Sequence, residues 1–247
     1  MTPAFGTLHV FDDGEALARG AADWLVAHTR HLTDEFVLSL SGGSTPKRLY
    51  GLLAEAPYAD RFPWTYAEFT FGDERFVPPD DPASNARMAT EAMFSRVPVP
   101  GENIHRVQTV GVSAEAAAAD YEETLKRIYG TDTLDPARPL FEVTLLGLGE
   151  DGHTASLIPG QKVLEERERW VQAVSEGRPE TRITLTYPAI DSSRFVVFLV
   201  QGESKREVLD RILSGDTAPP AARVRPVGSV LWMLDRAAAG RWAENAG

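Results

Sequence analysis

The chain has 247 residues, carries 36 acids against 25 bases for a formal net charge of −11, and contains no cysteine. Disulfides, zinc–thiolate sites and thiol nucleophiles are thereby excluded, and the diffuse negative field makes nucleic acid and anionic membrane surfaces poor partners. An anionic small molecule is admissible where backbone N–H groups and a few cations reverse that field locally.

The length accommodates a large core without repeats, low-complexity tracts or linkers, so residues 1–247 are expected to form one domain. No apolar stretch approaches the roughly 20 residues of a spanning helix. The start, MTPAFGTLHVFDDGEALARG, has neither the basic opening nor the apolar block of a secretion signal. A cytoplasmic location is expected.

Taken in chain order, Leu17, Ala21, Leu25 and His28 share one face of a predicted helix over 14–30, with His28 and His31 near its C-terminal end. EFVLSL (35–40) reads as a strand, followed by SGGSTP (41–46), with Thr45 as helix N-cap and Pro46 at the first helical position. AEFTF (67–71) is the next strand, followed by GDERF (72–76) and a proline-rich surface loop over 78–82. Ser113 caps a helix over 114–130 in which Glu122–Lys126 and Glu123–Arg127 are i,i+4 pairs. FEVTLLG (141–147), RITLTY (182–187) and RFVVFLV (194–200) are further strands, a helix follows over 203–215, and 218–223 reads as a surface loop. The alternation predicts an α/β fold with a mostly parallel sheet and helices on both faces.

The unusual residues fall just beyond strand ends: SGGST after 35–40, GDER after 67–71, GLGEDGH after 141–147 and QGESK after 194–200. Ligands of open α/β sheets bind beyond the carboxyl ends of the strands, so four such loops predict one crevice. In the first loop Ser41, Gly42, Gly43, Ser44 and Thr45 lead into a helix N-terminus, which suits a phosphate. GLGEDG satisfies a dinucleotide pattern, but Glu150 and Asp151 would sit against the pyrophosphate, so that reading is rejected. The glycines are instead expected to turn Asp151 and His153 into the crevice, His153 as general base and Asp151 as its orienting partner. Asp73 or Glu74 could hold a sugar hydroxyl or water, and Arg75 a phosphate or an oxyanion. Lys205 and Arg182 are candidate phosphate cations. The histidines show no metal-ligand spacing, Trp170, Trp232 and Trp242 read as packing residues, and no G-x-S-x-G elbow is present.

SGGSTP, GDERFVP with Ser84-Asn85, GLGEDGHTASLIPG, RITLT, and GESK followed by GSVLWMLD resemble the 6-phosphogluconolactonases, in that order along nearly the whole chain. The glucosamine-6-phosphate deaminases are the related alternative; they carry a glutamate where this chain has Ile158, and tend to have tyrosine where it has Arg75. The resemblance implies a modified Rossmann-like fold and metal-free hydrolysis of 6-phosphoglucono-δ-lactone to 6-phosphogluconate, without a cofactor. This is the second step of the oxidative pentose phosphate pathway. It implies that the 41–45 loop, Lys205 and Arg182 grip the phosphate, that His153 activates water, and that Arg75 or loop N–H groups stabilise the oxyanion. An amino-sugar-phosphate deaminase and a non-catalytic sugar-phosphate sensor stand as alternatives.

Overall fold

The computed structural model describes residues 3, 4 and 6–245, leaving Asn245 without a described side chain. Its centre is a six-stranded parallel sheet built from β1 (Thr7–Phe11), β2 (Phe36–Leu40), β3 (Ala67–Phe71), β5 (Phe141–Leu146), β8 (Ser193–Val200) and β9 (Ser229–Asp235). Their spatial order is β1-β9-β8-β5-β2-β3. Between β3 and β5 comes β4 (Asp73–Arg75), which joins β6 (Val171–Val174) and β7 (Arg182–Leu185) in a small antiparallel sheet ordered β4-β7-β6.

The strands are nearly continuous in apolar character because both faces are covered. On β9, Leu231 and Met233 point into one core while Val230, Trp232 and Leu234 point into the other; β8 divides the same way, Val197 and Leu199 against Val196, Phe198 and Val200. The first core holds α1 (Gly14–Thr29), α2 (Ser44–Leu53) and α3 (Asn85–Ala92), and the second holds α4 (Ala114–Tyr129), α5 (Tyr187–Asp191), α6 (Arg206–Leu213) and α7 (Arg236–Ala239). Helices therefore cover both faces, as expected. Trp170, Trp232 and Trp242 all lie in the second core.

Four expectations are corrected. RITLTY is no strand of the parallel sheet: Ile183 and Leu185 are buried, but β7 pairs antiparallel with both β4 and β6. Thr45 does not cap α2: the N-cap is Gly43, and the Thr45 hydroxyl reaches Gln201 at 3.2 Å instead. On α4 the Glu122–Lys126 pair forms at 3.0 Å, but Glu123 also takes Lys126, and Arg127 turns to Thr124. Residues 218–223 are not a surface loop. Pro220, Ala221 and Ala222 are buried in a short 3-10 turn, and the Ala221 N–H donates to the Gly152 carbonyl at 3.0 Å.

The chain runs from β2 outward to β3, then returns to the far side of β2 with β5, beside which β8, β9 and β1 follow. The point where the strand order reverses lies between β2 and β5. Loops leaving these two strands diverge there, and a crevice opens at their carboxyl ends.

Candidate active site

That crevice is a cavity of 300 Å³ lined by Ser41, Gly42, Gly43, Ser44 and Thr45 after β2, Asp73 and Arg75 on β4, Gly149 and His153 after β5, Arg182 on β7, and Gln201 and Lys205 after β8. All four loops singled out in the sequence reach it.

The 41–45 loop is held from below. The Ser41 N–H donates to the hydroxyl of fully buried Tyr50, which in turn donates to the Ser41 carbonyl, at 2.9 and 2.8 Å. Gly43 adopts φ +107°, which only glycine takes without strain, and this turns the chain into α2. The first-turn N–H groups of α2 have no carbonyl one turn back, and Pro46 removes one of them outright. The remainder, at the positive end of the helix dipole, face the crevice.

Two cations flank that helix end. The Asn85 amide packs directly on Gly42, and its Oδ1 accepts from Arg75 at 2.9 Å, with the Ala83 carbonyl accepting from the same guanidinium nitrogen at 2.7 Å. On the other side Thr45 bonds Gln201, beyond which the turn at 203–205 presents Lys205. Lys205 lies 3.8 Å from exposed Glu150. Arg182 approaches Asp73 at 3.9 Å and Glu180 at 3.3 Å. Its burial, and next the nearby charge of Arg75, lower the affinity of its guanidinium for a proton. The Nε atoms of Arg75 and Arg182 are both buried without a hydrogen-bond partner.

On the opposite wall, the His153 Nδ1 lies 2.5 Å from Asp151 Oδ1, which also accepts the His153 backbone N–H at 3.1 Å. The imidazole rests on the backbone of Gly149, where a Cβ would fall 1.9 Å from Nδ1; any side chain there would displace the ring. The Gly152 carbonyl is anchored to the 220–223 turn, and Ala155 is held at φ +47°, a conformation costly for a residue with a side chain. Burial raises the affinity of Asp151 for a proton, but hydrogen bonds from Arg178 and His153 outweigh it and hold the carboxyl well below the usual carboxylate range. Asp151 is therefore an anion that accepts from Nδ1–H, leaving Nε2 as the imidazole's basic nitrogen.

Two sequence assignments change on this geometry, and a third holds. Glu74 does not line the crevice: it is buried beneath it, where its carboxylate accepts from the backbone N–H groups of Arg75, Asn85 and Ala86 and from the Ser84 hydroxyl, anchoring the start of α3. Burial nonetheless pushes its carboxyl up. Asp73 does face the cavity, and Ser156 Oγ donates to it at 2.7 Å. The Gly149 and Gly152 N–H groups are engaged by the carbonyls of His153 and Gly149, which removes them as oxyanion donors. No helix starts in the GLGEDG loop, consistent with rejection of the dinucleotide reading.

Arg178 is absent from the sequence assignments, while Asn85, Ser156 and Gln201 enter them only as letters of longer motifs. Arg178 sits in the β6–β7 connection, 25 residues after His153, and donates to Asp151 Oδ2 at 2.7 Å. The signals are the Ser84-Asn85 pair downstream of GDERFVP, GLGEDGHTASLIPG for Ser156 and QGESK for Gln201. Among the described residues no three of His, Cys, Asp and Glu gather as a metal site, and no helix is long and apolar enough to cross a membrane.

Comparison with known proteins places this arrangement in context. A 6-phosphogluconolactonase of Nostoc sp. is 38% identical over 239 residues, covering 94% of this chain and 96% of that protein. The structure of 6-phosphogluconolactonase from Trypanosoma cruzi superposes with a TM-score of 0.82 at 30% identity, covering 97% of each chain. That of the Thermotoga maritima 6-phosphogluconolactonase gives 0.79 at 31% identity, covering 93% of this chain and 99% of the other. The profile of the glucosamine-6-phosphate isomerases/6-phosphogluconolactonase family matches residues 12–232, and the chain belongs to that family.

Proposed function

We propose that this protein hydrolyses 6-phosphoglucono-δ-lactone to 6-phosphogluconate in the cytoplasm. The observation that carries the reading is His153, oriented by Asp151 through Nδ1, on the wall of a crevice into which the N-terminus of α2 opens between two cations. The lactone branch is favoured over the deaminase branch by Ile158, which lies buried in the second core and can relay no proton.

The 6-phosphate sits at the α2 N-terminus, on the N–H groups of Ser44 and Thr45, flanked by Arg75 and Lys205. His153 Nε2 takes a proton from water as the water oxygen attacks C1. Arg182, whose Nε lacks a partner and which shares Asp73 with Ser156 of the His153 loop, stabilises the oxyanion. The C1–ring oxygen bond then breaks, and His153 returns its proton to the leaving oxygen. The product acid ionises at neutral pH, releasing one proton per turnover. A δ-lactone is an activated ester, so a general base and an oxyanion stabiliser meet the chemical need. Relative to the sequence reading, Arg75 and Arg182 exchange roles because Arg75 is tied to the 41–45 loop through Asn85.

The test is acid release at constant pH on freshly made lactone, corrected for spontaneous opening. Wild type accelerates hydrolysis, Arg75→Ala raises KM about tenfold or more, and Arg182→Ala lowers kcat instead. Absence of acceleration by wild type overturns the function; a KM effect at Arg182 with a kcat effect at Arg75 restores the original assignment of those two residues.

A further inference from the structure

The His153–Asp151 pair has a third member. Asp151 presents Oδ1 to His153 and Oδ2 to Arg178, so both carboxylate oxygens are engaged and the carboxylate plane is fixed. The same Arg178 nitrogen that bonds Oδ2 lies 2.9 Å from His153 Nδ1. Nδ1–H is already directed at Asp151, so this second approach is a fixed positive charge set against the imidazole rather than a second hydrogen bond.

The consequence is electrostatic. A carboxylate hydrogen-bonded to Nδ1 orients the ring but also favours imidazolium, which cannot act as a base. A cation 2.9 Å from the same nitrogen opposes that effect while strengthening the orientation, since it holds the carboxylate in place. Other charges around the crevice are Glu150, Asp73, Arg75, Arg182 and Lys205, with Glu180 beyond Arg182. None of these has a hydrogen bond or ion pair with the His153 ring, whereas Asp151 and Arg178 both meet it at Nδ1.

Resting on the lactonase reading, we propose that Arg178 is a positioning residue whose charge keeps His153 neutral, Nδ1-protonated and aimed at neutral pH. It touches neither substrate nor the reacting atoms and acts through Asp151 and the imidazole. Its guanidinium also donates to the adjacent Gly177 carbonyl, and its side chain is 29% exposed, so replacing it leaves both cores intact.

The experiment titrates the His153 imidazole by NMR without substrate, the resonance being assigned by its loss in His153→Gln, in wild type, Arg178→Gln and Arg178→Lys. Arg178→Gln raises the imidazole pKa by about one unit, and Arg178→Lys restores most of the wild-type value. The acid limb of kcat/KM shifts upward by the same amount, so the loss in Arg178→Gln grows as pH falls, approaching about tenfold below both pKa values, and is little at pH 8.5. An unchanged titration in Arg178→Gln, or a lysine variant displaced as far as the glutamine variant, overturns the proposal. The titration reads the imidazole whether or not the lactone is turned over. Failure of the lactonase reading would instead appear as a wild type without activity.

Discussion

The two ends of the parallel sheet each carry a histidine, a carboxylate and an arginine in contact, and they do different work. At the amino end, His28 meets Glu142 at 2.7 Å and Glu142 meets Arg194 at 2.8 Å. At the carboxyl end stand His153, Asp151 and Arg178. In both, hydrogen bonds to the carboxylate outweigh the cost of its burial and hold it below its ordinary range. The difference is which imidazole nitrogen is tied. His28 offers Nε2 to Glu142, and its ring is stacked on Trp24 at 5.2 Å with Phe195 edge-on at 4.7 Å. His153 offers Nδ1, and the tip of its ring is left to the crevice. The pair His105–Glu68, on β3 and the segment after α3, again uses Nε2. Residue types alone therefore do not make a base: the tied nitrogen and the open cavity do.

The widest separation between the two ends comes from removing the histidines. His153→Ala lowers kcat/KM for the lactone by at least ~100-fold, as for loss of a general base. His28→Ala leaves the rate unchanged but, losing a charge-assisted bond and two ring contacts, costs about 2 kcal/mol of stability. Acid-release kinetics and thermal unfolding of both variants read the two effects, and a rate loss in His28→Ala would break the distinction. Next comes the phosphate seat. Lys205→Ala raises KM about tenfold or more with kcat nearly kept, because a charged contact is lost in ground and transition states alike. The same assay with a lactone lacking the phosphate shows no such penalty.

A smaller effect separates site residues from the residues beneath them. Glu74→Gln puts an amide NH₂ among N–H donors at the start of α3, so it destabilises by about 2 kcal/mol, or about 4–8 °C in Tm for a chain of this size. Its KM stays near wild type, since Glu74 does not line the cavity. A large KM change without loss of stability would return Glu74 to the substrate.

Much of this was legible in the sequence for definable reasons. The buried strands β2, β5 and β8 announce themselves because cover on both faces demands unbroken apolar runs, and ligand loops follow such strands. His153 and Asp151 stood out because they are two residues apart on one of those loops. What escaped depended on long-range pairing. RITLTY has the same apolar content whether its neighbours are parallel or antiparallel, so the second sheet was invisible. Glu74 and Asp73 are adjacent letters, yet strand alternation sends one to the cavity and the other under it. Arg178 reaches Asp151 only because the β6–β7 connection is brought against the loop after β5; SEGRPETR itself carries no pattern. Thr45 looked like a cap on residue type, but the tight turn at Gly43 placed the helix start earlier and gave the hydroxyl to Gln201.

The last predicted effect, one of pH-dependent stability alone, lies at the amino end and concerns Asp191, the last residue of α5. Burial is the largest influence on it and pushes its carboxyl up to about 6, although the Arg225 N–H donates to Oδ1 at 2.7 Å and the Arg225 and Arg167 charges oppose the shift. A carboxyl raised in the folded state is protonated in both states at low pH and contributes no penalty there. As pH rises from about 4 through 6, the unfolded chain ionises first and gains relative to the folded one, so stability declines across that window. Asp151 has the opposite sign: its depressed folded value contributes stability above about pH 4, lost as pH falls further. Asn in place of Asp191 can still accept the Arg225 N–H but cannot ionise. Asp191→Asn is therefore expected to stay close to wild type in urea unfolding at pH 4 and to exceed it by about 2–3 kcal/mol at pH 7.5. Equal stability of the two proteins at both pH values would show that Asp191 ionises normally in the folded chain. The amino end would then hold carboxylates stabilised by their partners and none held against its charge, leaving the two ends of the sheet distinguished by the histidine nitrogens alone.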